Sequence, residues 1–135
     1  MNRQIKFRVW DKLAERMIYP HNDNQQHFII DLNGRFHNLQ NGSGGDDYVI
    51  QQYTGLTDNN DDPIYEGDIL KNHYDVSNNI IGQVLYESDH VGYIFQWKRR
   101  GQDYKISNLN CDVAFETQMA FESVIIGNIF EHKEV

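Results

Sequence analysis

The chain has 135 residues, enough for one domain with a modest core, and its twenty acidic side chains against twelve basic ones give a net charge of −8. That balance disfavours nucleic acid and anionic membrane surfaces as general partners, because affinity for either rests largely on Lys and Arg. The lone cysteine, Cys111, excludes an intramolecular disulfide and suits a reducing cytoplasm, where the protein is expected to reside.

Apolar residues make up 39% of the chain and aromatic ones 13%, so the core is expected to lean on Tyr, Phe and Trp. No apolar run approaches the roughly 20 residues that span a bilayer. The opening MNRQIKFRVW carries positive charge but lacks the hydrophobic segment of a secretion signal.

From Gln4 to Trp10 the residues alternate, with Ile5, Phe7 and Val9 on one side and Lys6, Arg8 and Trp10 on the other. This predicts a strand with one buried face, and leaves Trp10 exposed or as a candidate subunit contact. Residues 11–15 turn the chain back into Arg16-Met17-Ile18-Tyr19, and Pro20 ends that run because it cannot donate to a ladder. In HFIIDLNGRFHNL, Asn33-Gly34 is the preferred pair for a tight hairpin turn with positive φ at both central residues. NGSGGDD, Asn41 to Asp47, has nothing to bury and reads as a flexible connector at a subdomain seam. It lacks GxxxxGK and places two acids where a phosphate would sit, so it is not a phosphate loop.

Strands are expected over Tyr48–Tyr53, Gly67–Tyr74, Ile80–Glu87, Gly92–Lys98, Gln102–Leu109 and Ser123–Phe130. Gly82, Gly92, Gly101 and Gly127 punctuate them as bulge or corner positions. Cys111–Phe121 is the one plausible short helix. The final strand, SVIIGNIFE, is apolar on both faces and is expected in the middle of the structure. Short strands at this spacing predict a mainly β protein: an N-terminal β-hairpin extension with its Gly-rich loop over 1–47, and a small barrel or roll over 48–135.

The central stretch YTGLTDNNDDPIYEGDIL invites comparison with a calcium loop. Starting at Asp58, oxygen ligands stand at positions 1, 3 and 5, but position 6 is Pro63 and position 12 is Ile69. The glycine bend and the closing bidentate Glu are missing, so the Asp and Asn residues read as turn formers. In IYEGDIL, Gly67 permits a bend and Asp68 accepts backbone N–H groups as a strand begins.

This stretch, together with IKFRVWDKLAERMIY at the start and SVIIGNIFEHKE at the end, resembles the YopX family, small proteins of bacterial phages, prophages and related mobile elements. The resemblance implies an SH3-like barrel or roll decorated by N-terminal hairpins, and it implies self-association. Its motif residues Tyr53, Gly55, Tyr65, Glu66, Gly67 and Asp68 carry structural roles, and no catalytic residue comes with it. Typical members place Asn-Gly in the turn after YTGL; here Asn60 is followed by Asp61, a departure that bears on local turn geometry alone.

Three constellations bear on chemistry. Glu66 and Asp68, with Glu87 and Asp89 across a hairpin, would suit a metal-dependent enzyme, but each reads as a turn or corner residue. The histidines at 21, 27, 37, 73, 90 and 132 form no HxH, HExxH or Cys-pair pattern, so zinc has no support and no cofactor or metal is called for. Tyr93, Phe95 and Trp97 share one face of a strand that runs into Lys98, Arg99 and Arg100, a candidate binding surface where bases stack beside a basic cluster. The same rings serve equally to fill a small barrel. The expectation is therefore a non-enzymatic, self-associating phage or prophage protein that binds a host or phage macromolecule. Nucleic-acid binding through the aromatic stripe stands as the alternative, and a carboxylate metalloenzyme as the second.

Overall fold

A computed structural model describes residues 4–20, 27–72, 80–89, 91–99 and 112–131. Among the described residues the protein is mainly β with one short α-helix, and its antiparallel sheet curls into a half-barrel, the small roll expected. The chain forms two compact units, Met1–Tyr53 and Thr54–Val135, and β5 runs across their boundary.

In the first unit, β1 (Phe7–Asp11) pairs antiparallel with β2 (Arg16–Ile18). The connection is closed by Asp11, whose Oδ1 accepts the N–H groups of Leu13 and Ala14 at 3.0 Å each. A hairpin of β3 (Phe28–Ile30) and β4 (Phe36–Asn38) follows, and β5 (Tyr48–Thr57) returns along β1. Val9, Ile18 and Phe36 form the core here, with Phe28, Ile30, Tyr48 and Ile50 packed around them. Phe36 anchors it through rings 5.7 Å from Phe28 and 4.6 Å from Tyr48.

Three expectations are corrected in this unit. The hairpin does not turn on two residues: it closes over Asp31–Arg35, where only Gly34 has positive φ, at 78°. Asp31 organises that loop, its Oδ1 accepting Asn33 and Arg35 N–H groups at 2.9 and 3.0 Å. NGSGGDD is built rather than loose. Asn38 N–H donates to the Ser43 carbonyl at 2.8 Å, the Ser43 hydroxyl lies 2.6 Å from Tyr48 Oη, and Gly44 bridges His37. A Cβ on Gly44 would strike the Phe36 carbonyl oxygen, which is why glycine stands there. Finally, Trp10 is buried at 7% exposure, and Arg8, on the same side of β1, at 3%. Alternation overstated the exposure of that side because its polar groups find partners: Arg8 Nε donates to Gln51 Oε1 at 2.8 Å, and Lys6 Nζ lies 4.6 Å from the Tyr53 ring centre.

In the second unit, β5 continues beside β6 (Pro63–Tyr65). Then come β7 (Asp68–Asn72), β8 (Ile80–Glu87), β9 (Gly92–Arg99), β10 (Asp112–Ala114), α1 (Thr117–Phe121) and β11 (Ser123–Asn128). Five of these strands form one antiparallel sheet in the order β10-β9-β8-β7-β11. Its core gathers Ile64, Leu70, Val84, Phe95, Phe115 and Ala120, with Leu56, Tyr93, Met119 and Ile125 against them. The expected strand over Gln102–Leu109 lies outside the described residues.

Two further expectations change. The segment ahead of the helix extends along β9 as β10, so only Thr117–Phe121 is helical. β11 ends the sheet order rather than running through its middle. A register shift between Ile125 and Gly127 breaks its alternation and leaves Ile126 at 38% exposure, so an apolar run reflects a bulge and not burial on both faces.

Candidate functional site

The Tyr53–Leu70 motif builds corners. Asp58, 4% exposed, takes three backbone N–H groups on one carboxylate: Asn60 and Asp62 on Oδ1 at 2.9 Å each, and Ile125 on Oδ2 at 3.0 Å. Asp61 adopts φ 65°. Gly55 sits at φ 91° in β5. Gly67, at φ 86°, donates to Val84 O at 2.6 Å and accepts Ile129 N–H at 2.9 Å. Asp68, 1% exposed, accepts the Tyr65 N–H at 2.8 Å, and Tyr65 itself is 2% exposed. Both oxygens of Asp58 and Oδ2 of Asp68 thus accept backbone N–H groups, as corner residues do.

Glu66 is half-buried at the corner, and Glu87 Oε1 accepts the Asp89 N–H at 3.2 Å across its own turn. Among the described residues no three His, Cys, Asp or Glu side chains come together as metal ligands. Of the histidines, His37 pairs with Asp31, Nε2 to Oδ2 at 2.9 Å. That ring, then the Arg35 N–H, holds the Asp31 carboxyl below its ordinary value. His21, His73, His90, His132 and Cys111 lie outside the described residues.

The aromatic stripe divides. On β9, Tyr93, Phe95 and Trp97 face Tyr86, Val84 and Gly82 of β8. Phe95 is 7% exposed in the core, and half-buried Tyr93 packs against that core while meeting Tyr86 edge-on at 5.8 Å. The side chains of Trp97, Lys98 and Arg99, and all of Arg100, lie outside the described residues. Charge is unevenly spread: residues 1–53 hold six basic and six acidic side chains, whereas residues 54–135 hold six basic and fourteen acidic. The stripe therefore belongs to the half of the chain that carries the whole net negative charge.

Two surfaces escaped the sequence reading, and both lie in the first unit. The pairing of Ile29 with His37, and the Leu39 N–H bond to His27 O at 2.7 Å, place Ile29 and Leu39 as diagonal neighbours on the outer face of β3–β4. Their exposures are 43% and 60%, and Leu32 at the tip is fully exposed. A cleft of about 480 Å³ lies between the hairpin end (Gly34, Arg35, Phe36), the 3-10 turn at Gly45-Asp46, and Tyr48-Val49-Ile50. No motif signals either surface, since both depend on a five-residue loop and a folded glycine segment.

No helix among the described residues is long and apolar enough to cross a membrane. No curated protein sequence matches the chain. The fold is similar to the crystal structure of protein EF1440 from Enterococcus faecalis, with a TM-score of 0.58 and 24% identity over 96% of each chain. The family model for YopX protein matches residues 6–135, nearly the whole chain, and this protein therefore belongs to the YopX family.

Proposed function

We propose that the protein is a non-enzymatic accessory factor of a bacterial phage or prophage, acting in the cytoplasm, which self-associates and binds a protein of the host or phage. The observation that carries this reading is the outer face of β3–β4. Ile29, Leu32 and Leu39 leave large apolar side chains in water on a single small hairpin, an arrangement typical of a surface awaiting a partner. The occupant of this face is a second copy of the chain, because the first unit carries no net charge and so opposes its own approach far less than the acidic second unit. The acidic second unit and the burial of Phe95 favour protein over nucleic acid as the further partner.

Sedimentation equilibrium over a wide concentration range tests self-association. A concentration-dependent mass that Leu39→Asp shifts toward monomer, with unfolding unchanged, is the expected result. Monomer at every concentration would overturn that part of the reading.

A further inference from the structure

We infer that the cleft beside β5 is a strand-addition site for an extended peptide of a partner protein, an inference that rests on the protein-binding reading above. The geometry starts from the ladder between β1 and β5. Tyr53 N–H donates to Lys6 O at 2.9 Å, and Lys12 N–H donates to Asp47 O at 3.0 Å. In an antiparallel pair the hydrogen-bonded positions alternate, so Arg8/Gln51 and Trp10/Val49 exchange bonds and Val9/Ile50 does not. The N–H and C=O of Ile50 therefore point away from β1. The same alternation turns the Tyr48 N–H outward, where it donates to Gly45 O.

Among the described residues no strand pairs with this outward edge at Ile50; β6 joins β5 only at its other end, where the Thr54 hydroxyl donates to Ile64 O at 2.8 Å. The cleft follows that edge. Its lining includes three consecutive residues of β5, Tyr48, Val49 and Ile50. An unpaired edge is a template for another strand, and main-chain bonds to it give affinity while flanking side chains give specificity.

Its walls state the chemistry of the occupant. Half-buried Tyr48 and Ile50 offer an apolar side to alternate side chains of an extended segment. Arg35 and Asp46 stand among the lining residues, and neither side chain has a charged or hydrogen-bonding partner among the described residues. A volume of about 480 Å³ suits a few residues of one extended chain and not a sheet edge with its neighbours. The expected ligand is a short extended peptide with apolar side chains at alternate positions, an acidic residue for Arg35 and a basic one for Asp46.

Selection of displayed random linear peptides on the immobilised full chain tests this, followed by binding of a labelled peptide of the enriched sequence. The account expects an alternating apolar motif bearing an acid and a base. Peptide binding should slow amide hydrogen exchange at Ile50. Ile50→Pro removes only an outward N–H, and should weaken binding roughly fivefold to tenfold, the worth of about one net hydrogen bond. Arg35→Glu, at an exposed position, should reverse the charge preferred at one peptide end, and it keeps the test alive if Ile50→Pro fails to fold. No enriched motif, or binding indifferent to Arg35→Glu with Ile50 exchange unchanged, would overturn the site. Retention of a cellular protein partner by Arg35→Glu, undiminished from wild type, would retire this cleft while leaving the protein-binding reading intact.

Discussion

The Oδ2 oxygen of Asp58 accepts the backbone N–H of Ile125 at 3.0 Å, joining residues 67 positions apart. The adjoining Asn59 N–H donates to Ser123 O at 2.7 Å, and Asn59 Nδ2 donates to Phe121 O at 3.0 Å. The turn that resembles a calcium loop is thus the clasp on β11, and it occupies hydrogen-bonding groups of the last strand of the sheet. Asp58→Ala would remove the acceptor of three backbone donors, those of exposed Asn60 and Asp62 and of half-buried Ile125. A loss of about 2–4 kcal/mol in urea unfolding is expected, with a smaller loss for Asp58→Asn, which keeps one acceptor. A loss below about 1 kcal/mol would contradict the clasp.

Gly44 makes a separate prediction about the first unit. An alanine methyl there meets the Phe36 carbonyl oxygen, so Gly44→Ala should destabilise by about 1–3 kcal/mol. Gly34→Ala faces open space but keeps a positive φ, and should cost about 1 kcal/mol. Chemical denaturation of both variants orders them. Equal stabilities would mean that Gly44 is not packed as described.

Asp31 sets a pH dependence. Its carboxyl is held below the ordinary value of 3.8, chiefly by the His37 ring, so its contribution to stability is fully present above that value. Below 3.8 the unfolded chain takes up the proton first, and the contribution disappears as the pH falls through the lower folded value. The gap in unfolding midpoint between wild type and Asp31→Asn should accordingly be constant near neutrality and close in strong acid. A gap that widens as pH falls would give the opposite sign and refute the assignment.

Phe95 separates packing from stacking on the aromatic stripe. At 7% exposure within the second core, Phe95→Ala should cost about 3–5 kcal/mol in equilibrium unfolding. A ring reserved for stacking bases would instead leave stability nearly unchanged when truncated.

Much of the fold was legible because period-two alternation and turn chemistry are local. β8 falls on the expected Ile80–Glu87, and the corner at Gly67-Asp68 forms as its residue types require. Features decided by partners distant in the chain were not legible. Arg8 is buried because Gln51 meets it across the sheet, and Ile126 is exposed because a bulge breaks the alternation of β11. The glycine-rich loop looked structureless because its order comes from backbone bonds and from the Ser43–Tyr48 contact, none of which has a hydrophobic signature. For the same reason the candidate surfaces were hidden: Ile29 and Leu39 become neighbours only once the hairpin register is known, and the β5 edge only once its ladder is traced.

The most direct test of the central claim is capture of partners from bacterial host cells on the tagged full-length chain, with and without nuclease, followed by mass spectrometry. The account predicts a specific protein retained after nuclease treatment, and additional copies of the chain itself retained alongside it. Retention that vanishes with nuclease would contradict the account, and would move the segment around Trp97 and Arg99 to the front as a nucleic-acid surface.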